Sequence, residues 1–439
     1  MTRLFCIALV AVLGCVADTS SEVSALDEMV SIGISVPGGV TITIPQLGMT
    51  CSQACTITVA SGTSVVLVAT PSVGTLITGW TGPCSSAGAA HTCALLALAP
   101  GSNPGTGPVV SFVQNNLVFV SSTQVTGDLG AATYDRVCNN LATAAHINNV
   151  KNNGYIAWVQ AAGHDPTVMI GASRGWTRVD GKPWVNDMAL ALNQSVTFYP
   201  PVVDENGVRT FDTYWTGMQP GGAIWNNCAD WGMAGIDAGI TYTHSVGWGW
   251  TQSYNLNAVG CKETHRLLCV GIGRIGAVGP GGNGTKRIYL TNQGWQPNGG
   301  VAAADARCNL DKPMGVGKVK AVLTASTRKF EDVLAPNAIY ARPDGVVVGS
   351  TDDLLKALRN PIGPLTLESA PAMKGDGTFA ATWLYAWSGN TDTCRDWTSK
   401  ADDDRGTTGD LGDWADFGVP RWAPSHCAWG GIYLRCAEQ

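Results

Sequence analysis

Cys228-Ala229-Asp230-Trp231 recurs downstream as Cys394-Arg395-Asp396-Trp397, and the spacing around these two boxes decides the fold. From each box the next cysteine lies 33 residues on, at Cys261 and Cys427. A further cysteine follows after 8 or 9 residues, at Cys269 and Cys436. Upstream, Cys138 and Cys308 precede the boxes by 90 and 86 residues. Two quartets with nearly equal steps mean a duplicated domain, with a period far longer than the roughly 20–50 residues of solenoid repeats. The flanking residues agree. Asp135 and Asp305 each stand three residues before the first cysteine. Trp176-Thr177-Arg178-Val179-Asp180-Gly181 matches Tyr340-Ala341-Arg342-Pro343-Asp344-Gly345, and Trp215-Thr216-Gly217 matches Trp387-Ser388-Gly389. Val118-Phe119-Val120 and Ile288-Tyr289-Leu290 read as opening strands, and the runs ending at Cys269 and Cys436 read as closing ones.

The chain around the repeats has 439 residues, more than one core usually organises. Charged residues make up only 14% and are unevenly spread: Met29 to Thr126 contains none, whereas residues 274–439 carry 18 basic and 18 acidic. That shift marks a domain change. A net charge of −6 and a pI near 5.5 argue against a nucleic-acid partner and disfavour heparin, because polyanions require clustered Lys and Arg. At the N-terminus, Arg3 precedes an apolar run from Leu4 to Leu13, too short to span a bilayer. It ends in Val12-Leu13-Gly14-Cys15, which resembles a bacterial lipobox; the resemblance implies lipidation of Cys15 and a chain held at the outer membrane. Residues 1–15 then form a lipoprotein signal peptide and 16–28 a tether.

Without Cys6 and Cys15, twelve cysteines remain, and an even number in an exported chain points to a disulfide framework. Spacing alone leaves three pairings open in each quartet. An alanine-rich segment leads into Cys308 (Ala302-Ala303-Ala304-Asp305-Ala306-Arg307), and an alternating strand follows at Val319-Lys320-Ala321-Val322-Leu323-Thr324. With the Cys-x-Asp-Trp box and a closing Cys-x8-Cys, these features resemble the endostatin-like domains of bacterial surface lipoproteins, best known from leptospires. Those domains share the C-type-lectin fold with collagen-derived endostatin. The resemblance covers residues 117–272 and 285–439, joined by a glycine-rich linker at 273–284 that reads as flexible. It implies an α+β fold and nested bridges, Cys138–Cys269 around Cys228–Cys261, and Cys308–Cys436 around Cys394–Cys427. An outer bridge closing so long a loop is worth about 4–5 kcal/mol in the chain-entropy view.

Residues 29–116 differ. Val40–Ile44, Thr56–Val59 and Ser64–Pro71 read as short strands, followed by Gly79-Trp80-Thr81-Gly82. Their order resembles the internalin-type B repeat, a small β-rich spacer of surface proteins, which implies display. Here Cys51–Cys55 and Cys84–Cys93 pair most simply by proximity.

Two motifs that name chemistry lack their context. Gly171-Ala172-Ser173-Arg174-Gly175 fits the nucleophile elbow, yet Gly181 and Pro183 forbid the helix that must follow. Gly271-Ile272-Gly273-Arg274-Ile275-Gly276 fits a dinucleotide fingerprint, yet Pro280 and its flanking glycines forbid the phosphate-binding helix. The six histidines show no zinc spacing. Asp410, Asp413 and Asp416, after the acidic run Asp402-Asp403-Asp404, offer calcium the oxygen ligands it takes, although a solvated acidic loop reads the same way. Trp248, Trp250, Trp414 and Trp422 lie late in the repeats and differ between them, so they are the ligand-contact candidates. The expected function is non-catalytic adhesion to an extracellular protein or glycan, without an obligate cofactor. The alternatives are a self-assembling envelope or matrix component and, third, a hydrolase using Ser173.

Overall fold

The computed structural model describes residues 29–96, 107–147, 154–194, 196–218, 223–245, 247–251, 258–280, 282, 284–359, 373–378, 385–387, 392–410 and 425–439. Cys15, Asp413, Asp416, Trp414 and Trp422 lie outside them, as does the side chain of Trp248. The fold is mixed, with 20% helix and 36% strand. Two compact units emerge, Met1–Thr70 with Ile77–Ser111, and Pro71–Leu76 with Phe112–Gln439.

The first unit is strand-built. Met29–Ile34 pairs antiparallel with Cys55–Ala60, and Val40–Ile44 sits between Met49–Cys51 and Ser64–Pro71 in a four-stranded sheet whose last member is Thr92–Leu96. Alternation does the work: Val40, Ile42 and Ile44 point inward, as do Val65, Leu67 and Ala69, while Thr41 and Thr43 face out. Cys51–Cys55 and Cys84–Cys93 are both bonded.

The second unit contains both repeats, and the six-strand paths of their sheets correspond, the first sheet adding the short strand Val125–Thr126. In the first, the order is Pro183–Val185, Trp176–Arg178, Asn116–Val120, Thr264–Gly271, Thr213–Trp215, Ile240–Tyr242. In the second it is Val347–Ser350, Ile339–Ala341, Lys286–Leu290, Tyr433–Glu438, Tyr385–Trp387, Thr408–Asp410. The closing strand is central in each and pairs antiparallel with the opening strand, Cys269 opposite Phe119 and Cys436 opposite Tyr289. Both its faces are covered, so Leu267, Leu268, Cys269 and Val270 are all buried and the sequence there does not alternate. A leading helix, Ala131–Ala144 or Gly300–Leu310, turns Cys138 or Cys308 inward, where it bonds Cys269 or Cys436. The inner bridges are Cys228–Cys261 and Cys394–Cys427. Every pair has the partner that the resemblance or simple proximity implies.

The segment between the repeats departs from its reading as a flexible linker. The Arg274 backbone N–H donates to Asn116 Oδ1 at 3.0 Å, and its Nη1 donates to the Asn115 carbonyl at 3.0 Å. Gly276 N–H donates to Gln114 O and Val278 N–H to Asn186 Oδ1. Here glycine serves close approach: a Cβ on Gly276 would come 2.4 Å from the Gln114 carbonyl oxygen. Composition shows permissiveness; these contacts remove the freedom.

Candidate binding surfaces

The Cys-x-Asp-Trp box is a left-handed helical turn. Cys228, Ala229, Asp230 and Trp231 have φ of 55, 48, 58 and 63°, and Cys394, Arg395, Asp396 and Trp397 have 49, 55, 55 and 66°. Four successive non-glycine residues in this region cost on the order of 1–2 kcal/mol each, so the surroundings must hold them there. They do so identically in both repeats. Asn227 Oδ1 accepts the Asp230 N–H at 3.1 Å, and Thr393 Oγ1 accepts that of Asp396 at 3.2 Å. The aspartate side chains in turn accept the backbone N–H of Ala162 at 2.8 Å and of Ser326 at 2.9 Å. The buried indoles of Trp231 and Trp397 donate to the carbonyls of Gln160 and Thr324. The box is therefore a clamp that ties the inner disulfide to the loop after the strand Tyr155–Ala157 in the first repeat and Val319–Ala321 in the second.

Beneath that loop lies a second recurring arrangement. Asp135 Oδ1 accepts the Ala157 N–H, and Asp305 Oδ1 that of Ala321, both at 2.8 Å. In the first repeat His164 Nε2 lies 3.1 Å from both Asp135 oxygens; in the second, Arg328 Nη1 reaches the two Asp305 oxygens at 2.9 and 2.8 Å. Burial alone would lower the His164 pKa, but hydrogen bonding and charge attraction from Asp135, with the Val159 carbonyl, turn the net shift upward.

The tryptophan candidates separate. Trp250 is fully buried, its ring 5.2 Å from Trp158 and 5.1 Å from Trp184, and its carbonyl accepts the Tyr214 hydroxyl. It is core and cannot touch a ligand, a correction to the reading from position. The indole nitrogens of these three tryptophans have no acceptor among the described residues, and Val322 and Val348 stand where the second repeat matches Trp158 and Trp184. Among the described residues the exposed indole is not one of the four candidates. Trp429, 50% exposed, stacks on His426 at 5.5 Å and lies two residues from the buried Cys427. Its sequence signal was the flanking Gly430-Gly431, which leave a flat ring unshielded. The first repeat has Glu263 at that place.

A cleft of about 660 Å³ opens in the first repeat between the loop bearing Ser173 and the helix Met188–Gln194. Thr167, Ser173, Arg174 and Asn193 bring polar groups, while Ile170 and Leu192 form an apolar wall. Ser173 Oγ accepts the Gly273 N–H at 2.8 Å, and the chain beyond it enters the strand Trp176–Arg178. Asp187, also lining the cleft, accepts the Ala189 and Leu190 N–H groups at the start of the helix. This serine anchors the linker; its hydroxyl is not lifted on a strand-to-helix elbow. Asp410 ends the strand Thr408–Asp410, and among the described residues no group of three or more His, Cys, Asp or Glu gathers as metal ligands would.

No protein-family model and no curated protein matches this chain. Six disulfides suit a chain that matures outside the reducing cytosol. Among the described residues no helix is long and apolar enough to cross a membrane.

Proposed function

We propose that this chain is a non-catalytic binding protein displayed by a lipid anchor on Cys15, with two endostatin-like heads of C-type-lectin type that recognise an extracellular protein or glycan. The observation that carries this reading is one framework bearing two different surfaces. Strand order, nested disulfides and the left-handed box agree between repeats. Among the described residues, the first repeat carries the cleft beside Ser173, and the second carries the exposed indole of Trp429 where the first has Glu263. A scaffold held constant while its surface diverges suits recognition of two different features of a target. An exposed tryptophan on a disulfide-bounded loop offers a sugar face or an apolar side chain a rigid, half-dry platform.

A second reading, self-assembly in an envelope or matrix, is supported by the first unit. Its strand Thr92–Leu96 is terminal in the four-stranded sheet, carries no charge, and leaves Leu96 63% exposed. The test is an array of glycans and matrix proteins probed with the chain from residue 16 onward. A ligand whose binding falls at least tenfold in Trp429→Ala, or in the cleft-filling Ala189→Trp, supports the first reading. Concentration-dependent assembly without array binding would replace it with the second. An esterase activity abolished by Ser173→Ala would overturn the non-catalytic reading.

A further inference from the structure

The turn between Trp176–Arg178 and Pro183–Val185 matches the turn between Ile339–Ala341 and Val347–Ser350, and both hairpins converge on one segment of the first repeat, Thr197–Pro200. The first hairpin holds it from one side. Phe198 N–H donates to the Trp184 carbonyl at 2.8 Å and Tyr199 N–H to the Pro183 carbonyl at 3.2 Å. Arg178, paired with Asp180, donates from Nη1 to the Pro200 carbonyl at 2.9 Å, and the Lys182 ammonium lies 5.7 Å over the Tyr199 ring. The second hairpin holds the same segment from the other side. Arg342, paired with Asp344, donates from Nη2 to the Thr197 carbonyl at 3.0 Å. Val347 N–H donates to the Tyr199 hydroxyl at 3.0 Å, and Val346 packs fully buried with Phe198 and Tyr199.

Position by position, the two hairpins differ in a way that fits these two jobs. Val346 stands where the first hairpin has Lys182, so an apolar contact replaces a cation over the ring. Arg342 is 1% exposed, and a buried guanidinium must find acceptors. One of those acceptors belongs to the other repeat. The linker is fitted too: a Cβ on Gly282 would come 2.8 Å from the Gly345 carbonyl oxygen.

We infer that Thr197–Pro200 is a splint that locks the two heads into one rigid body, so that the protein presents its two ligand surfaces at a fixed separation and orientation. A ligand carrying two epitopes at the matching spacing is then held by both heads without the entropy cost of ordering a linker. The rigidity itself does not depend on what the heads bind.

The chain from residue 16 onward tests the splint by small-angle scattering and by limited proteolysis across 273–284. One rigid arrangement of the heads should fit the wild-type scattering, and the linker should resist protease. In Tyr199→Ala/Val346→Asp the heads should need an ensemble of arrangements, with linker cleavage at least tenfold faster and disulfides intact. Arg342→Lys, which keeps the charge and loses the fork, should give an intermediate cleavage rate. Wild-type scattering that already requires an ensemble would overturn the inference. So would a double variant that folds and stays as rigid and as resistant as the wild type.

Discussion

The two repeats solve one problem with different cations. Asp135 and Asp305 both sit on the leading helix, and both cap the backbone of the neighbouring strand. The first repeat balances that carboxylate with His164, the second with Arg328. Each partner also spends a nitrogen on a backbone carbonyl, His164 on Val159 at 3.0 Å and Arg328 on Leu323 at 2.9 Å. The geometry is the same; the chemistry is not, because arginine keeps its charge at any ordinary pH and histidine does not. Both pairs underlie the loop that the box clamps, through Ala162 in one repeat and Ser326 in the other. A duplicated site can thus keep its shape while one copy becomes sensitive to protons.

The comparison is broken most severely at the outer bridge. Cys138→Ser/Cys269→Ser should cost the first repeat about 4–5 kcal/mol, visible as a lowered denaturation midpoint, and the matching pair in the second repeat should cost as much. Equal losses would mean that the two frameworks carry equal loads. Next comes the carboxylate. Asp305→Ala strands a nearly buried Arg328 and the Ala321 N–H, and should cost about 3 kcal/mol in equilibrium unfolding. Asp135→Ala should cost less at pH 8 than at pH 5, since His164 can shed its charge.

That difference has a defined sign. The His164 pKa is raised above its ordinary 6.5 on folding, so the stability it contributes is complete below that value and is lost as pH climbs through the folded value. His164→Arg should abolish this loss in the first repeat, and Arg328→His should introduce it in the second. Unfolding midpoints compared with the wild type between pH 6.5 and 8 check both, a window that sets apart His265 and Lys182, whose pKa values burial lowers; a wild type that loses no stability relative to His164→Arg as pH rises would sink the idea. The smallest effect is in the box. Ala229→Gly relieves one left-handed residue at the expense of a freer unfolded chain, for a net gain of about 1 kcal/mol or less by thermal denaturation. Arg395→Gly gains less, since it also discards the ion pair with Asp404.

The duplication, the opening and closing strands and the place of the box were all legible in sequence, because cysteine spacing and apolar runs are one-dimensional signals. The core role of Trp231 and Trp397 was legible for the same reason, since both stand beside a cysteine in both copies. Trp250 was misjudged because difference between copies was taken as a mark of exposure. It fills space beside Trp158 and Trp184, where the second repeat uses valines. Trp429 belongs to the same late run of tryptophans, and only the path of the loop turns its ring outward.

What the sequence alone determined was therefore a domain written twice, stapled by cysteines and low in charge. Each of these depends on residue identity and spacing, which survive without coordinates. Tertiary structure alone decided that the box winds left-handed, that His164 and Arg328 occupy one position, and that Arg342 takes its acceptor from the other repeat. Those facts depend on which distant backbone groups arrive within hydrogen-bond reach. Thr197 and Arg342 stand 145 residues apart, and only folding brings carbonyl and guanidinium together.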